Sequence, residues 1–184
     1  MEHKGSKVLT TKRLVLRPFR ADDAEEMFAN WASDPEVTKF LTWTPHKNIE
    51  ETRALLTLWE EEAKKPETYH WAITLAGELV GDIALVAVHG ENALTGYCLS
   101  RRFWGKGIMT EAFSAVIKYL FEEVGFHRIA SNHSLENPAS GKVMEKCGLQ
   151  YEGTMRKSFR LLSTGEWTDI VFRAILEEDY FSRK

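Results

Sequence analysis

The segment Arg101-Arg102-Phe103-Trp104-Gly105-Lys106-Gly107 sets three cations and two glycines directly before an apolar periodic stretch that begins at Ile108. The chemistry available there is anion binding. The first amides of a helix have no carbonyl partner within the helix, and the helix dipole adds partial positive charge at the same spot. Gly105 and Gly107 lack a Cβ, so a phosphate can approach the main chain, while Arg101, Arg102 and Lys106 add charge from the flanks. A glycine-bearing turn with solvated cations is the alternative reading of the same residues.

The kind of phosphate is narrowed by what the loop is not. A Walker A loop needs glycine at position 100 and Ser or Thr at 107, and the chain has Ser100 and Gly107. A dinucleotide fingerprint needs a third glycine at 110 and an acidic residue about 20 positions on; Thr110, Ser131 and Asn132 stand there. A pyrophosphate ligand of another kind is left.

The loop needs elements to hold it, and the hydrophobic pattern supplies them. Leu14 to Arg17 reads as a short strand stopped by Pro18, followed by a helix carrying Ala24, Met27, Phe28 and Trp31 that should end near Asp34-Pro35. Ile49, Thr52, Leu55, Leu56, Trp59 and Ala63 mark a second helix between Pro45 and Pro66. From residue 69 the period shortens, and YHWAITLA, ELVGDIALVAV and NALTGYCLS read as three strands of an antiparallel meander. The loop, a helix running to Gly125 and the strand RIASNHSL follow; strand, crossover helix, strand is the order that gives parallel pairing. Asn137-Pro138 opens a short helix with Gly148 as its stop, and YEGTMRKSFRLL and EWTDIVFRAIL form a last pair of strands around Ser163-Thr164-Gly165. The expectation is one α/β domain over residues 1–184, with a mixed central sheet flanked by helices.

Composition bounds the function. The 184 residues are 43% hydrophobic and 28% charged, with a net charge of −3, which argues against a general polyanion binder. Nucleic acid is not an expected partner. IALVAV, residues 83–88, is far short of a membrane span, and MEHKGSKVLTTKR lacks the apolar stretch of a signal peptide. Cys98 and Cys147 have no metal-ligand spacing, so no metal and a cytoplasmic location are expected.

These residues also carry a resemblance. Arg102-Phe103-Trp104-Gly105-Lys106-Gly107 resembles the Arg/Gln-x-x-Gly-x-Gly/Ala pyrophosphate loop of the GCN5-related N-acetyltransferases, which bind acetyl-coenzyme A. LVLRPFRADDAEEMF, WASDPEV, GYCLSRRFWGKGIMTEA, Glu136-Asn137-Pro138-Ala139-Ser140 and Glu152-Gly153-Thr154-Met155-Arg156 together resemble the RimJ/RimL branch, over residues 12 to about 180. The resemblance implies acetyl transfer from acetyl-CoA to a primary amine by direct attack. It implies cofactor contacts from Leu99, Arg102, Phe103, Trp104, Gly105, Lys106, Gly107, Thr110 and Asn137, with the thioester in a V-shaped gap where the strands around Tyr97-Cys98-Leu99 and Ile129 to Leu135 part. The expected partners are an amine acceptor, a peptide amino terminus or a small molecule, and a second copy of the chain. A non-catalytic acyl-CoA sensor and an unrelated nucleotide-binding scaffold are the competing readings.

Direct attack asks for proton removal from the amine and a hydrogen-bond donor for the leaving sulfur. By the resemblance Ser140 is the donor, although Asn137, Pro138 and Ser140 also make a good helix start with no chemistry. The base is not identified: Phe159 and Asn132 occupy the positions where relatives carry carboxylates, which leaves Glu91, His46, His133 and Asp169 as substitutes and Glu111 as a complement to the dipole. A base is dispensable for an α-amine, whose reference pKa of roughly 7.7–8.0 leaves a neutral fraction that lysine, at roughly 10.4, lacks. Substrate selection is expected from the Phe40 to His46 loop and the last hairpin, with Trp43, His46 and Asp169 as its residues.

Overall fold

The computed structural model describes residues 1–183. Eight strands form one sheet: β1 (Leu9–Thr10), β2 (Leu14–Arg17), β3 (His70–Leu75), β4 (Glu78–His89), β5 (Asn92–Leu99), β6 (Arg128–Ser134), β7 (Gln150–Arg160) and β8 (Trp167–Leu176), in the order β1-β2-β3-β4-β5-β6-β8-β7. Every neighbouring pair is antiparallel except β5 and β6. The meander from β3 to β5 follows its short turns, as expected. β8 enters between β6 and β7, so the last hairpin is docked through its second strand, which adjacency in sequence does not disclose.

The helices are α1 (Ala24–Met27), α2 (Pro35–Thr38), α3 (Ile49–Glu62), α4 (Ile108–Tyr119), α5 (Pro138–Lys146) and α6 (Glu177–Ser182). α1 runs into a π-helical turn over Phe28–Ala32, and Asp34, expected to mark a helix end, caps the new helix α2 by accepting from the Glu36 N–H at 2.9 Å. α4 is the crossover between β5 and β6. Its Ile108, Ala112, Phe113, Val116 and Ile117 are buried on the sheet face they share with Leu16, Trp71 and Ile129. Burying each of these side chains other than Ala112 contributes about 1.5–3 kcal/mol, enough to hold both ends of the crossover in place. The other face carries a second core, in which Phe19, Met27, Trp31 and Leu56 of the α1–α3 layer pack on Ala72 and Leu79 of the sheet.

The feature that positions the site is the early end of β5–β6 pairing. Their register runs from Asn92↔Arg128 to Thr95↔Ser131 and stops, although β5 continues to Leu99 and β6 to Ser134. The last rung is pegged by side chains: Thr95 Oγ1 donates to Ala130 O and Ser131 Oγ to Thr95 O, each at 2.9 Å. On its other edge β5 stays paired with β4, where a register shift between Leu85 and Ala87 leaves Val86 as an extra residue. Bulges of this kind bend a strand, and the bend falls beside the point where β5 leaves β6.

Candidate acetyl-donor site

Beyond Thr95 the backbone of β5 has an open edge. The Ser100 N–H donates to Val80 O at 2.8 Å, so the alternation of an antiparallel ladder turns the N–H and C=O of Leu99 the opposite way, into the gap that β6 has left. The Leu99 carbonyl already accepts from the Trp104 indole N–H at 2.7 Å, which folds the glycine loop back against the strand end. Gly81 is required opposite: a Cβ there would stand 2.4 Å from Cys98 O.

The loop itself has the expected form. Gly105 and Gly107 sit at φ +73° and +72°, left-handed conformations that any side chain would strain, and Gly107 is the residue before the first turn of α4. The first hydrogen bond of that helix runs from the Glu111 N–H to Gly107 O at 3.1 Å. Among the described residues the amides from Gly105 to Thr110 have no acceptor, which makes a nest suited to an anion. The Lys106 ammonium lies 5.2 Å over the Phe103 ring. The Thr110 carbonyl takes the Cys147 thiol at 3.5 Å, and burial pushes that thiol up to about 11.

The two arginines have protein partners. Arg102 is engaged by Glu78 and by Asn30 Oδ1 at 3.1 Å, and Arg101 by Asp34 at 3.1 Å, so both fasten the loop to the α1–α2 layer and β4. A cation unmarked in the sequence also fastens the loop: Arg13, just before β2, donates from Nη1 to Lys106 O at 3.1 Å and from Nε to Glu111 Oε2 at 2.6 Å. Glu111 also accepts from Thr11 Oγ1 at 2.6 Å and from the Arg13 N–H at 2.9 Å. Burial works to raise its carboxyl, but these hydrogen bonds outweigh burial and hold it below the ordinary range. Glu111 is therefore a clasp between β2 and the loop as well as a dipole complement.

Across the gap, Asn137 caps α5 by accepting from the Ser140 N–H at 3.4 Å. Ser140 Oγ donates to Tyr97 Oη at 3.0 Å, and Tyr97 donates in turn to Ser140 O at 3.0 Å. Tyr97 packs on Phe113 with ring centroids 5.5 Å apart, and burial raises its phenol well above the ordinary range, so it stays protonated.

The remaining expectations divide. Glu91 lies in the β4–β5 turn at the closed end of the parallel pair, about 23 Å of extended strand from Cys98, which removes it as a base. His46 is tied to Thr52 Oγ1 at 2.7 Å in a partly buried position, and burial lowers its imidazole from the ordinary value. Its ring centroid is 5.5 Å from that of Trp43, which packs on the second core. His133 directs Nδ1 to Ser134 O at 2.8 Å and lies beneath Gly141, where an added Cβ would meet Nε2 at 2.6 Å. Asp169 accepts the N–H of Lys157, a residue held at φ +47° in a β7 bulge, and with Arg156 and Lys157 it lines a depression of about 560 Å³. Ser163 Oγ, in the turn of the last hairpin, donates at 2.8 Å to the carbonyl of Lys39, the residue before the Phe40 to His46 loop. Among the described residues no helix is long and apolar enough to cross a membrane, and no group of His, Cys, Asp and Glu could hold a metal.

Residues 13–150 match the acetyltransferase (GNAT) domain. The chain belongs to the GNAT acetyltransferase family. It is 33% identical to the probable N-acetyltransferase YjcK of Bacillus subtilis (strain 168), over 94% of this chain and 98% of that one. It is 28% identical to the ribosomal protein uS5-alanine N-acetyltransferase of Escherichia coli (strain K12), over 94% and 92%. A solved GNAT-family acetyltransferase from Bacillus anthracis superposes with a TM-score of 0.81 at 31% identity, covering 94% of this chain and 99% of that chain. The chain is thus an N-acetyltransferase of the RimJ/RimL-like branch, with the mixed sheet that the family uses.

Proposed function

We propose that this acetyltransferase moves acetyl from acetyl-CoA to the α-amino group of a peptide or protein amino terminus. One observation carries the reading: the open edge of β5 at Leu99 adjoins the unaccepted amides from Gly105 to Thr110. An extended thioester with a diphosphate at one end fits that pairing. The loop amides and Lys106 hold the diphosphate; the Leu99 N–H holds the amide-bearing arm; Asn137 and Ser140 border the sulfur. Gap amides aimed at the thioester oxygen would stabilise the charge that develops there as the amine attacks. Ser140 lends its hydroxyl hydrogen to the departing sulfur by turning it away from the Tyr97 phenol oxygen, which accepts it in the absence of substrate and holds the side chain at the gap.

The choice of an α-amine rests on chemistry and on kinship. Near pH 7 an α-amine is neutral in an appreciable fraction, and one relative is named for alanine N-acetylation of a ribosomal protein. The test is release of CoA thiol from acetyl-CoA by the purified protein against Ala-, Ser- and Met-initiated peptides, a lysine side-chain peptide with a blocked amino terminus, and aminoglycosides. The reading expects release with at least one free-α-amine peptide and none with the blocked one. Release with the blocked peptide or the antibiotics alone overturns the α-amine assignment.

A further inference from the structure

The face of the sheet opposite Tyr97 and Leu99 carries a second polar cluster. The ladder registers place Arg17, Ala72, Asp82 and Cys98 in one row across β2, β3, β4 and β5, and directly opposed residues share a face. Cys98 Sγ donates to Asp82 Oδ1 at 2.7 Å, and His70 Nε2 lies 2.7 Å from Asp82 Oδ2. The side chains of His70 and Asp82 are each 15% exposed. Phe19 and Trp59 stand edge-on to the imidazole, with centroids 4.9 and 4.1 Å away, and bring no charge. Arg17, the other charged member of the row, is closed on Asp23 by bonds of 2.8 and 2.6 Å. His70 and the Cys98 thiol are therefore what Asp82 faces.

Three features argue that the cluster serves the reaction. Withdrawing a carboxylate from water is costly before its partners offset it, and an apolar residue like the neighbouring Ala72 would fill the row without that cost. The cluster also borders the gap: Asp82 is one strand, about 5 Å, from β5, and its partner Cys98 lies on the stretch of β5 that β6 has left. Finally, Cys98 packs with the α1–α3 layer, as does Trp43, whereas Ser140 and Tyr97 meet on the α4–α5 side. Attack on a thioester is accelerated by a proton acceptor on the side where the amine arrives and a donor where the sulfur leaves. The two clusters stand on those opposite sides.

We infer that Asp82 binds the primary ammonium of the acceptor and, with His70, takes its proton, while Cys98 fixes the carboxylate; this rests on acetyl transfer taking place at the β5–β6 gap. The ammonium gives one proton to the His70–Asp82 pair, which returns it to solvent. The freed amine forms the C–N bond as the C–S bond breaks. The second N–H proton replaces the hydrogen that Ser140 lends to sulfur, so the products are amide, CoA thiol and one proton. Burial and the adjoining Asp82 hold the Cys98 thiol well above its ordinary range, so it remains a donor and does not compete for the acetyl group.

The experiment uses the full chain and an alanine-initiated tripeptide amide. Calorimetry on the CoA-bound protein compares the free peptide with its N-acetylated form. The inference expects at least tenfold tighter binding of the free amine, a preference abolished in Asp82→Asn; no preference in wild type overturns it. In steady-state assays His70→Gln should lower kcat/KM for the peptide at least 30-fold, with acetyl-CoA affinity within twofold of wild type. Unchanged kcat/KM in His70→Gln overturns the inference, and that variant with Asp82→Glu carries the test if Asp82→Asn does not fold. Failure of wild type to bind CoA at all would instead refute acetyl transfer at the gap.

Discussion

Ser140 and Tyr97 hold each other across the point where the parallel strands separate: each hydroxyl gives one hydrogen bond, Ser140 to the phenol and Tyr97 back to the Ser140 carbonyl, both at 3.0 Å. The pair joins the first turn of α5 to the free end of β5. Ser140→Ala should therefore lower kcat by about 100-fold with little change in acetyl-CoA affinity, the lower end of what loss of a positioned proton donor costs. Tyr97→Phe should lower kcat less and cost about 1 kcal/mol of stability, the usual size of one net hydrogen bond. Steady-state kinetics with urea unfolding checks both; equal loss of kcat and stability in the two variants would reduce the pair to a fold contact.

Glu111 makes stability depend on acid. Its carboxyl is held below the ordinary 4.5 by Thr11 and Arg13 against the pull of burial, so its contribution is present above that ordinary value and is lost as pH falls through the lower folded one. Glu111→Gln should lower the urea midpoint at pH 7, and the gap from wild type should narrow below about pH 4. A gap that stays constant from pH 7 to pH 3 contradicts the clasp.

Both thiols are quiet in the folded chain. Burial pushes Cys147 up to about 11 and Cys98 above its ordinary range, and neither is in a disulfide. Iodoacetamide at pH 8 should label both at least tenfold more slowly in the native protein than in urea, because the thiolate is the reactive form. Mass spectrometry after timed quenching reads this directly. Native labelling of Cys98 as fast as in urea would mean that its contact with Asp82 is not held.

Much of this was legible in the chain, for physical reasons that also mark the limit. The period-2 runs from residue 69 to 99 and their short turns require the β3–β5 meander, and the crossover helix requires parallel pairing of β5 with β6. The positive φ of Gly105 and Gly107 is seen only in the fold, but both were readable as a loop open to an anion because a missing Cβ is a local property. Asn137 was readable as a cap for the same reason. The Arg13–Glu111 clasp joins residues 98 positions apart, and the Arg17–Ala72–Asp82–Cys98 row exists only once three registers are set. No local spacing announces either. The charge of Arg101 and Arg102 is visible in sequence, but their partners Asp34 and Glu78 are not.

The central claim is that the amides from Gly105 to Thr110 receive the diphosphate of CoA, and isothermal titration of CoA into wild type and Gly107→Val tests it most directly. Wild type should bind with a dissociation constant on the order of micromolar. Gly107→Val places a β-branched residue at φ +72°, a strain of about 1–3 kcal/mol, and should remain folded by circular dichroism while binding at least 100-fold more weakly. Folded wild type that gives no binding heat at any temperature tried, or a folded variant that binds as wild type does, would contradict the account.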